Sequence, residues 1–127
     1  MKIKLICAAL LTLSGLNAEA MRFVNRTTRD ARFFVTVYSF TPYEVHIQKD
    51  YPVGAEKEID EDIRKVIAEK PLRMNTKYNV RIVAMEAAVC GSEMTFSSEA
   101  EIININNMTA ILSKPADQTI CHMTSFR

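Results

Sequence analysis

Beyond residue 20, the hydrophobic residues of this 127-residue chain recur mainly at every second position, which is the period of a β-strand. Arg32–Phe40 is rich in β-branched and aromatic residues on both faces, which predicts a central strand covered on each side. In Tyr43–Gln48 and Tyr78–Val89, apolar positions alternate with polar ones. The first of these runs predicts a strand with one solvent-exposed face, and the second predicts another central strand.

Shorter extended runs fill most of the remaining chain, and residues typical of turns separate them. The Asn106–Asn107 pair can adopt the positive φ angles of a tight hairpin, and Thr41–Pro42 ends the first long strand. About seven strands are expected in all. The other predicted strands are Arg22–Asn25, Met94–Ile105, Met108–Leu112 and Thr119–Phe126, and the other predicted turns are Cys90–Ser92 and Lys114–Asp117.

The segment Ile59–Lys70 departs from this period, because its apolar residues share one face of a helix. Acidic residues crowd its first turn and basic residues lie toward its end, which is the order that the helix dipole favours, and Pro71 follows it. This pattern predicts a helix of about ten residues. The alternative is a turn at Val53–Gly54 followed by a ragged edge strand over Glu58–Ile67. The apolar residues of the segment are Ile59, Ile63, Val66 and Ile67.

About seven strands without regular strand–helix alternation favour antiparallel pairing over a doubly wound sheet. The sequence therefore predicts a mainly β fold, an antiparallel two-sheet β-sandwich of immunoglobulin-like size with one short helix. An antibody-type domain is disfavoured, because the chain has no Trp and the two cysteines beyond residue 20 lie in its C-terminal third. We expect residues 21–127 to form a single β-sandwich domain.

The first twenty residues have the three parts of a secretory signal peptide. Lys2 and Lys4 precede an apolar run from Leu5 to Leu13, and Ala18–Ala20 supplies the small residues that signal peptidase requires. The apolar run is too short to cross a bilayer, which takes about 20 residues, so no transmembrane anchor is expected. The sequence predicts a signal peptide over residues 1–20 and a secreted or periplasmic protein.

Two cysteines, Cys90 and Cys121, remain after removal of the signal peptide. In an oxidising compartment, the two cysteines of a small exported domain usually pair. We therefore predict a Cys90–Cys121 disulfide, which closes a loop of roughly 30 residues and stabilises the fold by about 3–4 kcal/mol. The alternative is two free thiols, one of them nucleophilic.

The sequence offers little catalytic or metal-binding chemistry. His46 and His122 are the two histidines, and no serine lies in a G-x-S-x-G motif that would accompany a histidine base. Cys121–Met123 contains the side-chain types of a copper site, but adjacent side chains of a strand point to opposite faces. We therefore predict no catalytic residue, no metal site and no cofactor.

Charge is unevenly distributed along a chain that is neutral after removal of the signal peptide, so nucleic-acid binding is not expected. Residues 22–49 carry a net charge of +3 and residues 50–70 carry −3. The basic segment is a candidate surface for an anionic partner, with scattered solvated charge as the alternative. The candidate basic surface consists of Arg22, Arg26, Arg29 and Arg32.

These features favour a secreted or periplasmic, non-enzymatic module that binds a protein, a glycan or another surface. The alternative is a small secreted hydrolase whose site is assembled from residues that are distant in sequence. Membrane-active and copper-binding proteins are weaker alternatives. A membrane-active protein would expose aromatic side chains, whereas we expect most of a set of five to be buried. That set is Phe23, Phe33, Phe34, Tyr38 and Phe96.

Overall fold

The computed structural model describes residues 19–86, 90–114 and 121–126. Most of the predicted signal peptide and most of the predicted Lys114–Asp117 turn lie outside these ranges. The strands are β1 (Met21–Asn25), β2 (Ala31–Phe40), β3 (Tyr43–Val53), β4 (Glu58–Glu61), β5 (Tyr78–Glu86), β6 (Cys90–Phe96), β7 (Thr109–Ser113) and β8 (His122–Phe126). The helices are α1 (Ile63–Ile67), α2 (Glu99–Ile103) and a single 3-10 turn over Ile105–Asn107.

The described chain is mainly β, and its strands form two four-stranded sheets. One sheet has the order β4-β1-β7-β8 and the other has the order β3-β2-β5-β6. This arrangement is consistent with the predicted two-sheet sandwich. It contains one parallel pair, β1 with β7, among otherwise antiparallel neighbours.

The two predicted central strands are central in the structure. β2 pairs with β3 and β5, and β5 pairs with β2 and β6. Val35 of β2 lies directly opposite Ile82 of β5, and both side chains are fully buried. The hydrophobic period of these runs reflects a face that packs against the other sheet.

Aromatic and aliphatic side chains of both sheets fill the core. Phe23 of β1 stacks on Phe33 of β2, with ring centroids 4.9 Å apart and neither side chain exposed. Phe23, Phe33, Tyr38 and Phe96 are buried as expected, whereas Phe34 is half-buried. The other fully buried hydrophobic side chains of the described residues are Met21, Val35, Val37, Val53, Ile63, Val80, Ile82, Ala84, Ile105, Ala110 and Leu112.

The predicted helix over Ile59–Lys70 is wrong in its first half. Glu58–Glu61 forms the edge strand β4, whose backbone pairs with β1, with Ile59 opposite Phe23. The helix begins after Asp62, whose carboxylate accepts a hydrogen bond from the Lys65 backbone N–H at 3.0 Å. The spacing of Ile59 fits both a helix and a strand. Its pairing with β1 places it in a strand. The edge-strand alternative was therefore correct for this half.

The predicted hairpin at Asn106–Asn107 is also wrong, because these residues lie in the 3-10 turn. Asn106 is buried, and its Oδ1 accepts a hydrogen bond from the Ile63 backbone N–H at 3.0 Å. Its amide also donates to the Asp62 carboxylate at 2.9 Å. These hydrogen bonds attach the 3-10 turn to the start of α1. The following strand β7 pairs in parallel with β1.

Two further predictions between residues 90 and 105 need correction. The predicted turn Cys90–Ser92 belongs to β6, which runs opposite β5. The predicted extended stretch Met94–Ile105 is extended only as far as Phe96 and then becomes α2. A capping box starts this helix, because Ser98 and Glu101 each accept a hydrogen bond from the other's backbone N–H.

Candidate functional site

Large exposed hydrophobic side chains gather at one end of the sandwich, where β2 ends and β3 and β5 begin. All six that are exposed among the described residues lie in the hairpin between β2 and β3, in the segment before β5, or at the end of α2. We name this surface the apolar end. Its residues are Phe40 (66% exposed), Tyr43 (57%), Val45 (45%), Leu72 (47%), Met74 (89%) and Ile103 (51%).

Ring packing holds the hairpin side of the apolar end in place. Tyr38 is buried and contacts Phe40 edge-on, with centroids 5.3 Å apart, and the Tyr43 ring lies 5.8 Å from Tyr38. The guanidinium carbon of Arg81 lies 5.1 Å from the centre of the Tyr38 ring. The exposed rings therefore have a supported orientation, which lowers the entropic cost of using them as contacts.

Beside the hairpin, α1, α2 and the segment between α1 and β5 enclose an elongated depression. It consists of two adjoining cavities of about 450 Å³ and 390 Å³. Both are lined by the same four apolar residues, and we name the depression the apolar groove. The shared residues are Ile67, Leu72, Ile102 and Ile103.

The local sequence explains how this groove forms. α1 is only one and a half turns long, and Ile63, Val66 and Ile67 are its buried residues. Pro71 follows soon after and lines the groove next to Leu72. On the other side, the capping box orients α2 so that Ile102 packs against the core while Ile103 is half exposed. The floor is Val37 and Val80, which line the larger cavity and are fully buried.

Charged side chains line both cavities of the apolar groove. Arg64 and Lys70 line the smaller cavity, whereas Lys77 and Glu99 line the larger one. None of these four forms an ion pair with another of the described residues. The smaller cavity therefore presents two positive charges next to apolar walls, whereas the larger cavity carries one positive and one negative charge.

A cluster of polar side chains fastens the segment before β5 to the hairpin. The Tyr78 hydroxyl accepts a hydrogen bond from the Arg73 backbone N–H at 3.0 Å, and this bond lowers the pKa of Tyr78. The Arg73 guanidinium lies 2.6 Å from the Glu44 carboxylate. Its hydrogen bond with Tyr78 and then the charge of Glu44 raise the pKa of Arg73.

His46 belongs to the same cluster, at the irregular position where β3 shifts register against β2. Its Nε2 lies 3.2 Å from the Lys70 carbonyl oxygen, and its ring meets Tyr78 edge-on at 5.3 Å. Among the described residues, no hydroxyl or thiol group forms a hydrogen bond with His46. The contacts of this histidine position the chain around the groove.

The candidate basic surface lies elsewhere. Arg22 in β1 contacts Glu58 and Asp60 of the neighbouring strand, at 3.6 Å and 3.2 Å. Arg32 lies in the other sheet and contacts Asp50 at 2.7 Å. The remaining two residues, Arg26 and Arg29, are exposed in the loop between β1 and β2, at the end of the sandwich opposite the hairpin. None of the four arginines lines the apolar groove.

The two cysteines lie on edge strands of different sheets or next to them. Cys90 begins β6, and Cys121 is buried immediately before β8. These strands approach each other, because the Met123 backbone N–H donates to the Ser92 hydroxyl at 3.1 Å. The side chain of Cys90 lies outside the described part of the chain, so its pairing with Cys121 stays a prediction.

The residues considered for copper alternate in exposure along the chain. Cys121 is buried, His122 is exposed and Met123 is partly buried. In the parts of the chain that the structure covers, no three His, Cys, Asp or Glu side chains are grouped closely enough to bind a metal ion.

The apolar end was not predicted from the sequence. Phe40 and Val45 lie in runs whose alternation indicates burial, and Leu72 and Met74 lie in a segment for which no element was predicted. The capping box at Ser98–Glu101 was a readable signal for α2, and it would have indicated that Ile102 and Ile103 belong to a helix.

Within the described ranges, no helix has the length and apolar character that a membrane crossing requires. Comparison of the chain with family models, curated proteins and solved structures gives no match. Inference about function therefore depends on the geometry and chemistry of the apolar end.

Proposed function

We propose that this chain is a secreted or periplasmic, non-enzymatic binding module whose binding surface is the apolar end. One observation carries the proposal: the six exposed large hydrophobic side chains of the described residues all lie at this end. A soluble protein rarely exposes a contiguous apolar surface unless a ligand or partner covers it. The ligand is therefore a molecule, or a region of a partner, with an apolar surface.

The contiguity of the surface supports this proposal. The ion pair of Glu44 with Arg73 joins the hairpin to the segment that carries Leu72 and Met74. A third depression of about 600 Å³ lies between Phe40 and that segment. It shares three lining residues with the larger cavity of the groove, so hairpin and groove form one surface. The shared residues are Thr76, Lys77 and Ser97.

The candidate basic surface and the hydrolase alternative have less support than the apolar end. Arg22 and Arg32 each have a carboxylate partner on a neighbouring strand, which reduces the charge available to an anionic glycan or surface. A depression of about 420 Å³ does include Arg32, next to Phe34 and Met85. A hydrolase would need a nucleophile beside its base, and His46 instead faces a backbone carbonyl.

A capture experiment tests the proposal. The tagged protein, a triple variant F40S/L72S/M74S and a control K57S are incubated with extracts of the environment of the producing cell, and bound proteins and lipids are identified by mass spectrometry. Lys57 lies in the loop between β3 and β4, beside Gly54 and away from the apolar end. We expect a ligand that the wild type and K57S retain and the triple variant loses. The same captured molecules with all three proteins would contradict the proposal.

Export and the disulfide belong to the same proposal and share one measurement. We expect the exported protein to begin at Met21 and to contain a Cys90–Cys121 bond. The intact, non-reduced protein should then have the mass of residues 21–127 minus two hydrogens, with one cross-linked peptide after digestion. Reduction should lower the melting temperature by several degrees, since the bond restricts the unfolded chain. Two thiols that react readily with iodoacetamide would show that the pairing is wrong.

A further inference from the structure

We propose that the apolar groove binds the acyl chain of a single-chain anionic amphiphile, such as a long-chain fatty acid, with Arg64 and Lys70 beside its head group. This proposal rests on the proposed function, because it names the ligand class of the same surface. Two features carry it: the size of the aliphatic groove and the placement of charge along it.

The dimensions of the groove suit a small apolar ligand. Each cavity lies within the range of about 300–1,000 Å³ that is common for small-molecule sites. The walls are aliphatic, and Leu72 and Ile103 lose the contact with water that they now have if a chain lies between them. Burial of these half-exposed side chains and of the ligand's methylene groups supplies the driving force for binding.

The placement of charge gives the ligand a direction. Arg64 and Lys70 lie at the smaller cavity and form no ion pair with the described residues, although the charge of Arg64 also acts on Asp62. Lys77 and Glu99 line the larger cavity, where their opposite charges give no net attraction for an anionic group. The head group therefore lies at the smaller cavity, and the acyl chain extends into the larger one.

The volume of the groove suits an acyl chain better than a bulkier occupant. Val37 and Val80 lie beneath the larger cavity without surface exposed to water, so a ligand lies above them and not between the sheets. Cavities of about 450 Å³ and 390 Å³ suit a single polymethylene chain, whereas a partner helix is about 10 Å across and a bilayer surface is broader still.

Displacement of the neutral apolar dye Nile red from the purified protein tests this proposal. Saturated fatty acids with 8, 10, 12 and 14 carbons serve as competitors, each below its micelle concentration. We expect each added methylene group to tighten binding about fourfold until the groove is filled. Decan-1-ol, which has the same chain as decanoate without its charge, should bind about tenfold more weakly than decanoate.

Three variants assign the result to the groove. In R64Q/K70Q, decanoate should bind about tenfold more weakly, whereas the affinity for decan-1-ol should not change. In L72S/I103S, both competitors and the dye should lose at least tenfold in affinity. R26Q/R29Q removes two exposed charges at the opposite end of the sandwich and serves as the matched control, with no expected change.

The outcomes separate this proposal from the proposed function. If the wild type binds the dye, L72S/I103S does not, and no fatty acid displaces the dye, the apolar end is a binding surface and the amphiphile proposal is wrong. If decanoate binds R64Q/K70Q as tightly as the wild type, the assignment of the head group is overturned. Binding to phosphatidylglycerol vesicles without binding of monomeric fatty acid would also overturn it, in favour of a membrane surface. Equal dye binding by the wild type and L72S/I103S would count against both proposals.

Discussion

The two ends of the sandwich are built in opposite ways. At the end formed by the loop between β1 and β2, which we name the closed end, Asn25 is fully buried and its amide donates to the carbonyl oxygens of Arg29, Val53 and Gly54. Its Oδ1 accepts hydrogen bonds from the backbone and the hydroxyl of Thr27. At the apolar end, by contrast, Phe40, Leu72 and Met74 remain exposed to solvent.

Under our proposal, this difference separates a structural surface from a binding surface. At the closed end, the side chain of Asn25 hydrogen-bonds to the backbone of two connections, so these polar groups have partners within the fold. At the apolar end, the polar groups beside the hairpin are also paired, as Tyr78 with Arg73 and Arg73 with Glu44 show. The large hydrophobic side chains there are exposed, and under our proposal an apolar ligand covers them.

Ion pairs within the fold balance part of the uneven charge along the chain. Segment 22–49 carries a net charge of +3 and segment 50–70 carries −3. Three basic residues of the first segment form ion pairs with acidic residues of the second. Such exposed pairs contribute little stability, typically about 0–1 kcal/mol each. Their consequence here is that much of the uneven charge is balanced within the fold. The pairs are Arg22 with Glu58 and Asp60, Arg32 with Asp50, and Lys49 with Glu69.

The largest effect is expected from a change that removes the scaffold of both ends. Val35→Asp or Ile82→Asp places a charge in the fully buried contact between β2 and β5, and we expect either variant not to fold. Export yield and thermal unfolding measure this effect. Gln48→Asp adds the same charge at an exposed position of β3 and should fold. Wild-type yield and melting temperature for Val35→Asp would refute the central position of these strands.

The next largest effect is expected at the closed end alone. Asn25→Asp keeps the size of the side chain but replaces an amide that donates to three carbonyl groups with a carboxylate. We expect the free energy of unfolding to fall by about 2–4 kcal/mol, because buried carbonyl oxygens lose their partner and face a charge. Urea unfolding measures the change, with Arg26→Gln in the same loop as the control. Dye binding at the apolar end should persist in the folded protein, and its loss would show that the two ends are coupled.

The smallest effect concerns the position of α1 beside the groove. Hydrogen bonds from the Asn106 amide and from the Lys65 backbone N–H lower the pKa of Asp62. A lowered pKa in the folded state contributes stability that is present above the unfolded value, about 3.9, and is lost as the pH falls through the folded value. Asp62→Asn retains a good N-cap, so we expect little change at pH 7 and a smaller loss of stability between pH 5 and pH 2 than in the wild type. Parallel acid-unfolding curves for the two proteins would contradict this role of Asp62.

The strands that the sequence predicted correctly are those that bury one face against the other sheet. β2 and β5 bury one face against the other sheet, and this burial requires hydrophobic residues at every second position, as at Val35, Val37, Val80 and Ile82. The fold class follows from several such runs. Ile59, Ile63, Val66 and Ile67 carried a helical period as well, but the first of them is in a strand.

The sequence by itself determined the strand character of the long runs and the two-sheet class, because a two-residue period is a local consequence of burying one face of a strand. The tertiary structure alone decided that Glu58–Glu61 pairs with β1, that β7 runs parallel to β1, and that Asn106 hydrogen-bonds to the start of α1. It also decided which hydrophobic residues remain uncovered. Phe40 and Val45 have the same pattern as core residues, but they share a sheet face with Tyr38, opposite to the face on which Val37 packs into the core. The strand that pairs with a given strand, and the side chains that cover it, come from residues distant in sequence. A local hydrophobic period contains no information about those residues.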